Sequence, residues 1–503
     1  MTTFSPASRS PFGFRFALIL TSTAVLCGLL AAEVAAQTMG AIAAKKPARL
    51  QKQPTNPVAR EKWFKQLELE GRIAMGKELF HRKWESQTPN GSTGDGLGPL
   101  FNERSCVACH NLGGSGGGGP GLNNVQLLVV RRLAPGDKWE STVLAQRDHL
   151  LPTATSDTFL LHRYGTTPGY EKWRTERLAF AKGIYVESLS NDARAKHLHS
   201  LGLELPMVPK SAKTVGAGYL TETASSELVP TPPSLIGLTL EEINTTALFG
   251  TGQIDKLQEE TLVAIAKEQP VELRGRVPYT AQRTLGRFGW KGQNETLLAF
   301  NNGACAAELG LDTHKLRQAK APEIGKDVKP YANQFNISKG LDVSDNEIQA
   351  MTDYVASLPA PHRSDSERRA IDVRYGEQHF HDVGCAICHR RDVGELTEVY
   401  SDFLLHQVGL SSSAGSYYAQ VIDLVGTGDP KRPADAAEFR TPPLWGVSDS
   451  APYLHDGRAA TLEEAISLHG GQAVSTIGRY RALKDGQRKQ LLTFLGSLRA
   501  PKE

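Results

Sequence analysis

The apolar positions of this chain repeat a plan. From Glu61 to Phe80, Trp63, Phe64, Leu67, Ile73, Met75 and Phe80 predict a helix. Ser344-Asp345-Asn346-Glu347 is a capping box that opens another, with Ile348, Met351, Val355 and Leu358 on one face. Leu358-Pro359-Ala360-Pro361 ends that helix, and Ser364 to Arg369 reads as a charged linker. The pattern then restarts. Gly376-Glu377-Gln378-His379-Phe380 echoes Gly76-Lys77-Glu78-Leu79-Phe80. Phe494-Leu495-Gly496-Ser497-Leu498-Arg499-Ala500-Pro501 echoes Tyr354-Val355-Ala356-Ser357-Leu358-Pro359-Ala360-Pro361. Two copies of helix, loops, helix therefore follow one another, with a boundary near residue 362. The first copy is swollen between about Val125 and Gly275, where Val125 to Val130 reads as a strand and Pro206 to Pro233 is polar and Pro-bearing. The predicted class is mainly α, with long loop insertions and some short strands in the first copy.

A length of 503 residues fits two to four domains. The formal charge of +3 carries no nucleic-acid footprint. Forty-eight Gly and 28 Pro point to long surface loops. Arg9 and Arg15, the interrupted apolar run Phe16 to Ala32 and Val34-Ala35-Ala36 before Gln37 read as a secretory signal over 1–36; the competing reading is a retained membrane anchor. Cleavage would leave a periplasmic protein with no stable membrane span. Residues 37–60 read as a disordered basic segment, 61–361 as the first domain and 362–503 as the second.

The chemistry lies between the helices of each copy. Cys106-Val107-Ala108-Cys109-His110 and Cys385-Ala386-Ile387-Cys388-His389 are two C-x-x-C-H pentads, the attachment signature of c-type haem. Thiols at i and i+3 form thioethers to haem vinyl groups, and the adjoining histidine ligates iron as a neutral imidazole. A zinc site would need both pentads to converge on one ion and has no use for the histidines. A thioredoxin-like pair would follow a strand-like run, which neither pentad does. Each copy can bury one haem between its first and last helices, the cytochrome c plan. Thr461-Leu462-Glu463-Glu464 opens a short helix whose face Leu462, Ala465, Ile466 ends in His469, a candidate second axial ligand for haem 2; the alternative is a core histidine. His406 is another sixth ligand or a propionate partner. His149, His162, His314 and Met207 are unranked candidates for haem 1, while Met351 reads as core and Met39 lies in the N-terminal tail. His197 and His199 are a metal pair or solvated loop residues. The run Gly113 to Gly119 lacks the Lys-Ser/Thr ending of a phosphate loop and reads as a flexible turn beside haem 1. Cys305 is a buried small residue or a redox thiol.

A resemblance sharpens this reading. Arg440-Thr441-Pro442-Pro443-Leu444-Trp445-Gly446-Val447, Ala451-Pro452-Tyr453-Leu454-His455-Asp456-Gly457-Arg458 and Thr461-Leu462-Glu463-Glu464-Ala465 resemble the C-terminal region of bacterial dihaem cytochrome c peroxidases, and more closely the related di-haem oxidoreductase family. Phe101-Asn102-Glu103-Arg104-Ser105, Ala247 to Asp255 and Gly286 to Gly292 extend the likeness in patches into the first half. The resemblance implies two covalently bound c-type haems and peroxidase-like reduction of a small oxidant such as peroxide at haem 1. Haem 2 would relay electrons from a small redox protein, a cytochrome or cupredoxin. The peroxidases have methionine where this chain has His469, and histidine there would lower the potential of haem 2. By the same likeness Arg440 contacts a propionate or haem edge and His455 sits near the haem. Trp290 stands between the haems, and Glu308 faces the peroxide-binding haem. The glutamine and proline that precede that glutamate in the peroxidases are replaced here by the Phe300, Asn301, Ala304 neighbourhood. A Ca2+ ion between the domains is a further cofactor left open. So are two other functions on this scaffold: electron transfer without a substrate, and an oxygenating or maturation enzyme.

Overall fold

Asn56 accepts the N–H groups of Val58 and Ala59, and Pro57 presets φ, so α1 (Pro57–His81) starts at Pro57 rather than Glu61. The computed structural model describes residues 56–86, 94–132, 158–184, 214–215, 218–219, 236–319, 340–410 and 429–501. Contacts group the chain into two units, 1–68 and 69–503, and α1 contributes to both. The junction expected between 361 and 362 falls inside the second unit. The expected signal peptide, Met39, His149, His197, His199 and Met207 lie outside the described residues. Among the described residues no helix is long and apolar enough to cross a membrane.

The first copy carries its insertion as a small sheet. β1 (Leu100–Phe101) precedes the pentad helix α2 (Cys106–Cys109), and β2 (Val125–Arg132) follows it. β3 (Thr158–Leu160), β4 (Tyr164–Gly165), α3 (Tyr170–Ile184), β5 (Thr214–Val215), β6 (Gly218–Tyr219) and β7 (Ile236–Ile243) come next. β2 pairs antiparallel with β7 from Val125↔Ile243 to Arg132↔Ile236 and with β3 from Leu127↔Leu160 to Val129↔Thr158. Leu128 and Val130 of β2 pack with Phe159, Leu161, Tyr170 and Trp173 beneath α3. The apolar run of β2 is thus buried, as a central strand requires.

α4 (Thr251–Ile254), α5 (Glu259–Glu268), α6 (Leu297–Glu308) and α7 (Asp345–Ser357) complete the first copy. The Ser344 capping box forms as the sequence predicts. The charged linker is more ordered than expected, because Ser364 and Glu367 make a second capping box that starts α8 (Asp365–Arg369). α9 (Ile371–Asp382), β8 (Leu405–Gln407), β9 (Glu438–Arg440), α10 (Leu462–Ser467), α11 (Val474–Ala482) and α12 (Asp485–Gly496) form the second copy.

The repeat read from the sequence is a repeat of helix crossings. A Cβ on Gly76 of α1 would lie 1.9 Å from the Ala350 carbonyl of α7; one on Gly376 of α9 would lie 2.0 Å from the Gln490 carbonyl of α12. Only glycine lets either backbone approach so closely. One turn on, Phe80 meets Tyr354 and Phe380 meets Phe494, each at 5.3 Å between ring centroids. α1 buries Leu79 and Phe80, whereas Phe64, Leu67 and Met75 of the expected apolar stripe are exposed. A core cluster joins Phe80, Leu248, Phe288 and Tyr354 to Val393, Phe403 and Trp445, so the copies share a hydrophobic interior.

Candidate functional site

Each pentad makes one helical turn, with the His110 amide bonded to the Cys106 carbonyl (3.0 Å) and the His389 amide to the Cys385 carbonyl (2.8 Å). That turn brings both thiols and the imidazole to one cavity. The ring of His110 lies 6.2 Å from Phe80, and the ring of His389 lies 6.2 Å from Phe380. Cys385, Cys388, His389, His406, Arg440 and His469 line a cavity of about 300 Å³. Cys106, Cys109, His110, Cys305, Glu308 and Met351 line one of about 130 Å³.

Three imidazoles are prepared in the same way. Nδ1 of His110 bonds the Gly117 carbonyl (3.2 Å), Nδ1 of His389 the Tyr400 carbonyl (2.9 Å), and Nδ1 of His469 the Ala465 carbonyl (2.7 Å). A carbonyl can only accept, so each Nδ1 is the protonated nitrogen, which at His389 and His469 leaves the Nε2 lone pair for a metal; the His110 ring meets a second backbone partner, Thr246. Burial pushes His110 and His389 down to about 4 and lowers His469, which keeps all three neutral. Burial also pushes the Cys106, Cys109 and Cys385 thiols up to about 12.

His469 follows α10, capped by Thr461, whose hydroxyl accepts the Glu464 amide at 3.1 Å. The predicted capping box forms only on that side: the Glu464 carboxylate takes the Ala460 amide instead. The glycine run differs from the flexible turn expected. A Cβ on Gly117 would meet the Leu112 carbonyl at 1.7 Å, and the loop is wrapped tightly enough to bring its carbonyl to His110.

Arg440 is 8% exposed; its Nε donates to the Gly289 carbonyl, while Nη1 is buried without a protein partner. A guanidinium N–H orphaned in a cavity wall fits an anionic group such as a haem propionate. His455, 4% exposed, likewise has an orphaned Nδ1 and lines both cavities. Trp290 lines both as well, with Nε1 donating to the Asn244 carbonyl at 3.0 Å. Apolar walls, thiol pairs, imidazoles oriented by backbone carbonyls and an unpaired guanidinium are together what a haem requires.

Glu308 ends α6 in the wall of the smaller cavity, beside Phe300, Asn301 and Ala304. Its Oε2 accepts from Asn102 Nδ2 at 2.6 Å, and its backbone carbonyl accepts the Asn102 amide at 2.7 Å. Asn102 Oδ1 in turn accepts the Arg163 amide at 2.8 Å. Sequence reading passed over Asn102 as a separate residue, although it sits in the stretch Phe101 to Ser105 that carries the resemblance.

Other candidates are placed differently. His406 bonds Asp402 Oδ2 through Nε2 (2.8 Å) and has Nδ1 3.7 Å from Cys388 Sγ, in the wall of the larger cavity. Gln269 Nε2 also donates to Asp402 Oδ2 at 2.7 Å. His162 is buried against the Ala307 carbonyl, and His314 is exposed and paired with Asp345; neither lines a cavity described here. Met351 is core, as expected, yet it also lines the smaller cavity. Cys305 is buried beside Cys106, and burial pushes its thiol well up.

Residues 237–498 match a protein-family profile described as "Di-haem oxidoreductase, putative peroxidase". A cytochrome-c peroxidase, IdrP1, of Denitromonas iodatirespirans is 33% identical over 73 residues, which are 14% of this chain and 19% of that protein. Among solved structures, Kuenenia stuttgartiensis hydrazine synthase aligns at 18% identity and a TM-score of 0.23, over 56% of this chain and 99% of that one. A MauG-like protein associated with microbial copper homeostasis aligns at 18% identity and a TM-score of 0.28, over 49% of this chain and 90% of that one.

Proposed function

This chain belongs to the di-haem oxidoreductase family, and on that footing we propose that it is an exported, periplasmic c-type cytochrome of two cytochrome c-like domains that reduces peroxide. Cys106, Cys109 and His110 would hold haem 1, and Cys385, Cys388, His389 and His469 would hold haem 2. The haems supply one-electron chemistry and an iron at which an oxygen ligand binds. Two electrons and two protons convert each peroxide to two waters.

The remaining work falls to side chains. The Gly117, Tyr400 and Ala465 carbonyls fix which nitrogen each histidine presents. Arg440 offers Nη1 to a propionate. Glu308, in the wall of the smaller cavity, would carry a proton from one peroxide oxygen to the other, so that one oxygen can depart as water. Asn102 holds the Glu308 carboxylate for that transfer. Trp290 shortens the electron path between the sites.

The observation that carries this reading is Trp290 in the wall of both cavities, with Glu308 in the wall of only the smaller one. Expression with periplasmic maturation tests it. A pyridine-haemochrome assay should give two haems per chain, the denatured polypeptide should stain for haem, and peroxide should alter one haem's spectrum and be consumed with a reduced cytochrome or cupredoxin. A colourless chain after denaturing electrophoresis would overturn it. A second reading, electron transfer without a substrate, draws on Met351, which lines the smaller cavity and carries a thioether, a haem-ligand type. Two low-spin haems inert to peroxide, cyanide and carbon monoxide would favour it.

A further inference from the structure

The carbonyl that orients His389 belongs to a strained segment. Tyr400 adopts φ +46° and Glu398 φ +51°, left-handed conformations that side-chain-bearing residues hold only when their surroundings impose them. A buried guanidinium on the connector between the two copies grips both residues, while Arg368 Nε and Arg391 Nη2 also stand 3.3 Å from Glu398 Oε1. Arg363 stands just before Ser364, the cap of α8. Its Nη2 donates to Glu398 Oε1 at 2.6 Å and to the Tyr400 hydroxyl at 2.7 Å, and its Nη1 to Glu377 Oε2 at 3.1 Å. The Tyr400 hydroxyl donates onward to Glu377 Oε1 at 2.5 Å. The guanidinium also lies over the Tyr400 and Phe494 rings, 5.7 and 5.3 Å from their centroids. Backbone bonds add to this: Val399 and Tyr400 amides both reach the Arg391 carbonyl, and the Glu398 amide reaches Asp392 Oδ1.

We propose that Arg363 is a positioning residue for the second haem site: by gripping Glu398 and Tyr400 it holds the Tyr400 carbonyl against Nδ1 of His389 and so sets the electron donation of that imidazole to iron. A firm Nδ1–H···O bond makes an imidazole a stronger donor, which favours ferric iron and lowers the reduction potential. The first site has a different arrangement, with a glycine carbonyl at 3.2 Å from His110. The connector is therefore one source of a potential difference between the haems, independent of His469. The inference rests on the reading that His389 ligates haem iron.

Arg363→Lys tests it with charge conserved, and Tyr400→Phe removes only the hydroxyl that Arg363 and Glu377 share. Redox titration of each purified holoprotein should show haem 2 moved upward at least threefold in its one-electron equilibrium, about 28 mV at 59 mV per tenfold. Haem 1 should stay in place and haem content should not change. The double variant should shift no further than the larger single one, because both act through one carbonyl. If Arg363→Lys yields no folded protein, Tyr400→Phe decides alone. Haem 2 unmoved in the folded variants, equal shifts at both haems, or additive shifts overturn the inference. A wild-type chain without covalent haem at Cys385 and Cys388 would instead overturn the reading beneath it.

Discussion

Trp290 and His455 meet edge to face, ring centroids 6.4 Å apart, in the wall that the two cavities share. His455 leans in turn on Phe439 at 4.3 Å, and Lys291 Nζ sits 3.9 Å over the Phe439 ring. The same lysine donates to the carbonyls of Asp435, Ala436 and Glu438, while the Arg440 amide donates to the Trp290 carbonyl. The loop carrying Trp290 and the strand carrying Arg440 are therefore one clamp, and the tryptophan in the shared wall is as fixed as the arginine lining the larger cavity.

That rigidity makes Trp290 a clean test of the electron path. Trp290→Leu should slow peroxide-driven oxidation of reduced haem 2 by roughly tenfold or more, about 1.4 kcal/mol in barrier, and leave haem content intact. Trp290→Phe keeps a ring and should fall between the two. Stopped-flow absorbance of the reduced protein mixed with peroxide measures it, and equal rates in all three proteins would remove Trp290 from the path.

His469 is the sixth ligand proposed for haem 2. His469→Ala should turn that haem high-spin in the ferric spectrum, and added imidazole should restore the low-spin bands. An unchanged spectrum would take His469 off the iron and return it to the role of a core histidine bonded to Ala465.

The two cysteine pentads, the repeat of opening and closing helices and the helix ahead of His469 are all legible because each is a local pattern. The echo of residues 76–80 in 376–380 preserves the glycine that each close approach needs, although only the structure shows the crossing. The strand Val125 to Val130 was visible as an apolar run, but its partner β7 lies beyond a long insertion, and such pairing leaves no local trace. The apolar stripe of α1 misled for the same reason: which of Phe64, Leu67, Met75 and Phe80 is buried depends on what packs against the helix. The grip of Asn102 on Glu308, the Lys291 clamp and the Arg363 network join residues far apart in sequence, whose side chains carry no spacing rule. The bond of His406 to Asp402 joins two residues four apart in a segment without helical periodicity, so it left no pattern to read either.

Glu308→Gln keeps the shape of the side chain and the bond to Asn102 is replaceable, but the amide cannot carry a proton between peroxide oxygens. Peroxide turnover should fall by about 10²–10⁴, the usual range for losing a general acid–base group, with both haem spectra preserved. Asn102→Leu should lower turnover less, since it only frees the carboxylate. Steady-state assay with a reduced donor protein measures both; undiminished turnover in Glu308→Gln would move the chemistry elsewhere.

Glu438 ties the clamp to acid stability. It is buried in β9 and accepts from Arg276 (2.7 and 3.0 Å) and Arg432 (2.9 and 3.2 Å). Burial alone would push its carboxyl up, but the two guanidinium groups and the Asp435 amide more than offset this and hold it down at about 2, below the ordinary 4.5. A carboxyl with a depressed folded value binds protons more weakly than in the unfolded chain. Its stabilisation is therefore complete above about 4.5 and is lost as pH falls from there towards 2. Glu438→Gln should cost on the order of 2 kcal/mol at neutral pH. It should also flatten the fall in stability between those two pH values, because the group that titrates there is gone. Denaturant unfolding of the holoprotein at a series of pH values measures both effects, and parallel curves for variant and wild type would show that the titrating carboxyl lies elsewhere.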